Sequence, residues 1–236
     1  MSFLWRDVAH LVSDARPSAA MSLRKMPIAM GRRDLLAGLA LGTALAMSPS
    51  PRARAADAGG DGARAFVGDT ADKAIALMAN HALPDAQRNQ QFHDIFVATF
   101  DLPAIGEQVL GRYWKAATPE QKAQFLKLFE QEQVLIWAGR FKSYNGEKLT
   151  VESASADGAG WRVVSHIDKS GAQPIPMEWK VTQAGGGWRV TDLTVEGASM
   201  ALTLRQDFAS VIQANDGKID ALFGAMQKKI DQLGTG

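Results

Sequence analysis

The feature that most constrains this chain is a change in the period of its apolar residues. From Lys148 to Val195 they alternate with polar residues, whereas before Asn145-Gly146 and after Gly197 they recur every three or four positions. A period of two belongs to a strand with one covered face, and a period near 3.6 to a helix with one covered face. The middle section divides into strands over Lys148–Ala154, Trp161–Asp168, Ile175–Gln183 and Trp188–Val195. The short turns Asp157-Gly158, Ser170-Gly171 and Gly185-Gly186-Gly187 join them. Turns that short permit only antiparallel neighbours. In the last strand Trp188 and Val190 share a phase while Leu193 and Val195 hold the other, which predicts a bulge near Thr191-Asp192. Pro174 and Pro176 suit a strand start or an edge. Helices, then an antiparallel sheet of four or slightly more strands, then helices make the fold class α+β, with the sheet curved beneath the helices.

The helices are read from their stripes and caps. Ala63–Asn80 carries Val67, Ala71, Ala74, Ile75 and Met78 at helical spacing, after an Ala/Gly/Asp stretch at 56–62 that reads as a flexible start. Leu83-Pro84 closes this helix, Asp85 is placed to cap the next, and Phe92, Ile95, Phe96 and Phe100 line one side of that second helix. Asp101-Leu102-Pro103 opens a third, with Ile105, Val109 and Leu110, that Gly111 ends. Thr118-Pro119-Glu120-Gln121 offers a hydroxyl N-cap, proline at the first helical position and Gln at the third, a capping box. The helix it starts runs to about Lys142, with Phe125, Leu126, Phe129, Ile136, Trp137 and Phe141 as its apolar face. Lys122, Lys127, Glu130 and Glu132 fall on the solvent side. After Gly197, Ser199 caps a helix bearing Met200, Leu204, Phe208, Val211 and Ile212. Asp216-Gly217 separates it from a last one with Ile219, Leu222, Phe223, Met226 and Ile230.

The N-terminus changes what the charge balance means. Arg32-Arg33 precedes a 13-residue apolar run, Leu35–Met47, followed by Pro49, Pro51 and Ala53-Arg54-Ala55. A charged region, a short apolar core and a small-x-small site describe a secretory signal peptide, and the run falls short of the roughly 20 residues a membrane span needs. The paired arginines point to twin-arginine export, and Met30 is the better initiator, since residues 1–29 add nothing to the signal. The chain is thus expected to be a leader over 1–55 and one domain over 56–236. The leader holds eight Lys/Arg and three Asp/Glu, which leaves 18 and 22 in the remainder, a net of −4. A mildly acidic product argues against nucleic acid as a partner, which needs a positive surface. It argues equally against adhesion to anionic lipid through a basic patch. The chain has no cysteine, which excludes disulfides, thiol chemistry and Cys-based metal sites.

A search for catalytic constellations finds little. His81, His93 and His166 show no metal-ligand spacing. His93 and Asp94 are adjacent, which on a helix directs them apart, and His166 alternates onto the exposed strand face. Gly185-Gly186-Gly187 joins two strands and is a hairpin turn, not a phosphate cradle. The one candidate base for an isomerase-like enzyme, in which helices on a curved sheet enclose a cone, is Asp192 at the bulge. The alternative role for Asp192 is to satisfy backbone groups there. A third reading is a solid-cored adaptor with protein partners only.

Two blocks of motif carry a resemblance. The first is Phe100-Asp101, Val109-Leu110-Gly111 with Trp114, Ala117-Thr118-Pro119-Glu120-Gln121, Phe125, Phe129 and Tyr144. The second is Trp188-Arg189-Val190-Thr191-Asp192, Val195-Glu196-Gly197-Ala198-Ser199-Met200, Arg205 and Phe208. In order and spacing they resemble the phospholipid-shuttle family that includes MlaC and the toluene-tolerance periplasmic proteins. The resemblance implies an α+β fold around a cavity for the acyl chains of a phospholipid, in a periplasmic protein without metal, cofactor or covalent chemistry. It also implies two partners: an outer-membrane lipoprotein–porin complex and an inner-membrane Mla-type ABC transporter complex. Leu204 stands where many relatives have Tyr, Trp179-Lys180 replaces a Tyr-Arg pair, and Ile136-Trp137 replaces a small-polar/Tyr pair. These departures make the wall more apolar and leave the lipid open between a phospholipid and a hopanoid-related one.

On this reading the pocket is lined from the helices by Phe96, Phe100, Val109, Leu110, Trp114, Phe125, Phe129 and Trp137. The sheet contributes Val163, Met177, Trp179, Val190 and Val195, and the helix after Gly197 contributes Met200, Leu204 and Phe208. Arg205 either meets the headgroup phosphate at the mouth or pairs with Asp207 or Glu196. A carrier must spare acyl chains the cost of water, about 0.8 kcal/mol per methylene and so on the order of 20 kcal/mol for two chains. Aromatic and Met stripes at helical spacing serve equally as ordinary core, so the apolar pattern alone does not choose between a pocket and a packed interior.

Overall fold

The computed structural model describes residues 51–80, 82–141, 146–168 and 171–234. Residues 1–50, which hold the paired arginines, Met30 and all but the last five positions of the expected leader, lie outside the described residues, as do His81, Lys142, Tyr144, Asn145 and Ser170. Five helices come first: α1 Pro51–Ala79, α2 Asp85–Thr99, α3 Leu102–Leu110, α4 Arg112–Ala116 and α5 Pro119–Phe141. The strands β1 Lys148–Asp157, β2 Gly160–Asp168, β3 Ile175–Ala184, β4 Gly187–Val195 and β5 Ala198–Ser199 follow, and α6 Met200–Gln213 and α7 Ile219–Gly234 complete the chain. The sheet is an antiparallel meander in the order β1-β2-β3-β4-β5, so the fold is α+β as the change of period requires.

Register explains how the sheet acquires one apolar face. Val163 pairs with Trp179 and Trp161 with Val181 across β2–β3, and Trp179 with Leu193 and Met177 with Val195 across β3–β4. Between Lys180 and Val181 the register shifts, so that Val181 opposes Val190 and Thr191 is the extra residue. The bulge returns Trp188 and Val190 to the face held by Leu193 and Val195. It also leaves the Val190 carbonyl free to accept from the Asp101 N–H at 2.9 Å, which ties the end of α2 to β4. A second shift, between Val151 and Ser153 on β1, carries no sequence signal.

The expected flexible start at 56–62 is helix instead, continuous with α1. The reason is steric. A Cβ on Gly59 would lie 2.6 Å from the Trp161 ring, and one on Gly62 would lie 3.3 Å from Trp188. Glycines that look like a linker let the helix lie directly on two indoles of the sheet, and that packing offsets their poor helix propensity. Ala63 and Val67 then pack with Val163, Val181 and Val190 in a cluster between α1 and the sheet.

The larger core is helical. Phe125 stacks on Phe129 with ring centroids 5.5 Å apart, and Phe208 meets both edge-on. Leu110, Ile212, Leu222 and Met226 are buried around them. The capping box forms as expected: Gln121 N–H donates to Thr118 Oγ1 at 3.2 Å, and Thr118 N–H to Gln121 Oε1 at 3.1 Å. Asp101 caps α3 and Ser199 caps α6. Asp85, expected to cap α2, is that helix's first residue and pairs with Arg88. Glu132, placed on the solvent side by its charge, is buried at 1% exposure. Lys229 of α7 bonds it at 2.5 Å, because α7 packs over that face of α5. Among the described residues no helix is long and apolar enough to cross a membrane.

Candidate functional site

A cavity of about 30 Å³ opens where the helical core meets the sheet. The end of α2 supplies Phe96 and Phe100, α3 supplies Leu102 and Ile105, and α5 supplies Phe129, Gln133 and Trp137. Asp192 and Leu193 come from β4, and Met200, Ala201 and Leu204 from α6. Local chemistry sets each contributor. The Asp101–Val190 bond and the Asp101 cap turn the chain so that Phe100 and Leu102 face inward. Phe129, Gln133 and Trp137 follow at intervals of four on α5, one face of a helix.

Asp192 is the joint of the site. It is 5% exposed, and its Oδ1 accepts from the Leu193 N–H at 2.9 Å and from the Ala201 N–H at 3.1 Å. Its Oδ2 accepts from the Ser199 hydroxyl at 2.7 Å, and the Ser199 oxygen in turn accepts from the Leu202 N–H. The carboxylate thus binds β4 to the positive end of α6. These are the backbone-satisfying contacts that one sequence reading assigned to Asp192.

Of the residues expected in a pocket, Phe96, Phe100, Phe129, Trp137, Met200 and Leu204 line this cavity. Val109, Leu110, Phe125 and Phe208 are buried in the helical core behind it, with Trp114 packed on its margin. Val163 and Val190 lie under α1, and Met177 and Val195 form a third cluster against Trp137 and Met200. Trp179 touches both sheet clusters and donates its indole N–H to Ser165 at 2.8 Å. Leu102, Ile105, Gln133, Leu193 and Ala201 join the wall unannounced. Gln133 carried a legible signal in its spacing to Phe129 and Trp137, which its polarity concealed.

Arg205 is exposed and follows the wall residue Leu204. A Cβ on Gly111, whose φ is +54°, would lie 2.7 Å from its guanidinium, so the absence of a side chain there lets the arginine rest on the α3–α4 junction. Neither expected pairing, with Asp207 or with Glu196, is formed among the described residues. Asp207 Oδ2 has no hydrogen-bond partner among the described residues, and burial pushes the Asp207 carboxyl above its ordinary pKa.

The histidines lie elsewhere. His93 and Asp94, expected to diverge, approach to 3.2 Å. The His93 ring turns across to Glu130 of α5 at 2.9 Å, and Asp94 reaches its other nitrogen. The Glu130 hydrogen bond raises the pKa of His93. His166, on the outer sheet face, sits 2.6 Å from Glu152 and 3.2 Å from Asp168. Among the described residues no group of three or more His, Cys, Asp or Glu side chains is placed to hold a metal ion.

Comparison with known proteins joins these observations. The family described as MlaC protein matches residues 68–228. The toluene tolerance protein ttg2D of Pseudomonas putida is 27% identical over 122 residues, covering 51% of this chain and 57% of that protein. The intermembrane phospholipid transport system binding protein MlaC of Haemophilus influenzae is 28% identical over 137 residues, covering 56% and 63%. The match spans about three fifths of the length of these curated relatives. A solved phospholipid-binding protein from Ralstonia solanacearum, in complex with a phospholipid, superposes with a TM-score of 0.64 at 23% identity. It covers 73% of this chain and 98% of its own, and so shares the fold.

Proposed function

The chain belongs to the MlaC family, and from that premise we propose that it is an exported carrier that binds a phospholipid by its acyl chains. It moves that lipid through the periplasm between an outer-membrane lipoprotein–porin complex and an inner-membrane Mla-type ABC transporter complex. The observation that carries this reading is the position and lining of the cavity. It lies at the junction of helices and sheet, its wall is apolar apart from Gln133 and Asp192, and the same fold holds a phospholipid in the solved relative.

Work is done here by surface and not by bond chemistry. Each methylene moved out of water gains about 0.8 kcal/mol, and Phe96, Phe129, Trp137 and Leu204 offer the replacement surface. Pockets for small ligands run to about 300–1,000 Å³, so a cavity of about 30 Å³ admits chains only when its walls part. Arg205, which makes no ion pair among the described residues and follows the wall residue Leu204, would meet a headgroup phosphate by charge-assisted hydrogen bonds. Of the departures that the resemblance implies, those at Trp137 and Leu204 lie on the cavity wall, and those at Ile136, Trp179 and Lys180 do not.

The test is mass spectrometry of lipid extracted from the purified protein, followed by uptake from vesicles. Co-purified phospholipid is the expected result, and a co-purified hopanoid-related lipid replaces phospholipid as the cargo. Repeated preparations without lipid that also take none from vesicles overturn the carrier reading. Arg205→Ala is expected to fold normally and to slow transfer to a reconstituted transporter, and unchanged transfer removes its headgroup role.

A further inference from the structure

We propose that the Gln133 side-chain amide reads the ligand, donating through Nε2 to an ester carbonyl of a bound diacyl lipid. The proposal rests on the carrier reading and adds the chemical group that the cavity selects.

Gln133 is 4% exposed, lies on the cavity wall, and its Nε2 has no hydrogen-bond partner among the described residues. Burying an amide without a partner is costly, and the large majority of buried side-chain polar atoms are partnered. Leu or Met fits an apolar wall between Phe129 and Trp137 without that cost. An amide at this place makes physical sense when whatever enters the cavity brings an acceptor. Asp192, the other polar residue of the wall, does not fill the role: its oxygens are engaged by the Leu193 and Ala201 N–H groups and the Ser199 hydroxyl. The wall therefore presents a free donor.

The chemistry of a diacyl lipid supplies the matching acceptor. Its phosphate is ionised and stays near water, because burying an isolated charge is prohibitive. Its ester carbonyls are neutral, accept without donating, and are bonded directly to the chains that enter an apolar space. A dialkyl ether lipid with the same headgroup and chains keeps the apolar surface and loses the carbonyls. The pair isolates the contribution of one acceptor.

The experiment is an exchange equilibrium. Delipidated full-length protein is incubated with vesicles containing equal amounts of palmitoyl-oleoyl phosphatidylglycerol and its dialkyl ether counterpart. The protein is re-isolated by size exclusion, and the ratio of the two lipids bound to it is measured by mass spectrometry. Wild type is expected to hold the ester in roughly tenfold excess over the vesicle ratio, the scale of one hydrogen bond made to an otherwise unpaired buried donor. Gln133→Met and Gln133→Leu are expected to hold the two lipids in the vesicle ratio, with a lipid-free melting midpoint equal to or above wild type. A wild-type ratio of one overturns the proposal without need of any variant, as does enrichment that survives both substitutions. Wild type that takes up neither lipid overturns this proposal and the carrier reading together, whereas equal uptake of both overturns this proposal alone.

Discussion

Removing the Asp192 carboxylate tests whether the joint between β4 and α6 is structural. Asp192→Ala deletes three accepted hydrogen bonds and leaves the N–H groups of Leu193 and Ala201 without the acceptor that held them. A buried donor left unsatisfied costs about 1–3 kcal/mol. Two such donors, with Ser199 still capping Leu202, give an expected loss of about 2–6 kcal/mol. A chain of this size has about 5–15 kcal/mol in all, and each kcal/mol moves the melting midpoint by about 2–4 °C. The midpoint should therefore fall by about 4–24 °C. Asp192→Asn keeps one oxygen for the two backbone donors and turns an NH₂ toward Ser199 Oγ, which can accept it, so its cost should be near 1 kcal/mol. Urea denaturation followed by circular dichroism measures both. An alanine variant within about 1 kcal/mol of wild type, or an asparagine variant as damaged as the alanine one, refutes the reasoning. An asparagine variant that folds normally yet loses all function would return Asp192 to the role of a chemical group.

Leu204→Trp, which adds bulk to the cavity wall, should reduce lipid uptake at least tenfold with a small change in stability. Met177→Ala, in the separate cluster at the sheet, should cost about 2–5 kcal/mol while the folded protein still takes up lipid. Equal effects of the two on uptake, measured by lipid content per folded protein, would refute the placement of the cavity. The His93–Glu130 pair sets a pH dependence. His93 is raised above its ordinary value of 6.5, chiefly by the Glu130 hydrogen bond. Its stabilisation is therefore full below the unfolded value and lost as pH rises through the folded one. Glu130→Gln should narrow its stability difference from wild type between about pH 5 and about pH 8, and a difference that stays constant across that range refutes the assignment.

The α+β order, the strand limits and the Thr191 bulge were legible because each follows from the phase of apolar residues, which the pleat converts directly into a face. Helix starts at Thr118, Asp101 and Ser199 were legible because capping is local. Where two distant elements meet, legibility ended. Gly59 and Gly62 look like a linker until Trp161 and Trp188, about a hundred residues later, lie against them. Glu132 looks solvated until α7 brings Lys229 over it. The pocket divided for the same reason. Phe129 and Phe125 have the same chemistry and neighbouring positions on one helix, and only the approach of α3, β4 and α6 puts the first on the cavity and the second behind it. Resemblance to a family supplied the existence of a cavity, but the partition of aromatic residues between wall and core is decided by tertiary packing.

That partition bears on how a carrier lets go. An empty apolar void costs about 24 cal/mol per Å³, so one of about 300–1,000 Å³ would cost roughly 7–24 kcal/mol. That equals or exceeds the about 5–15 kcal/mol that holds a domain together. An unfilled space of that size is therefore disfavoured, and here Phe96, Phe129, Trp137 and Leu204 line a cavity of only about 30 Å³. On the carrier reading, the contacts they make with each other are given up when lipid enters. They therefore offset part of the gain from removing methylenes from water. For the carrier proposed above, the remainder would leave protein and bilayer close to balance as environments for the same chains, and a small bias from a partner would then set the direction of transfer. A rigid open pocket would hold lipid more tightly and carry it worse.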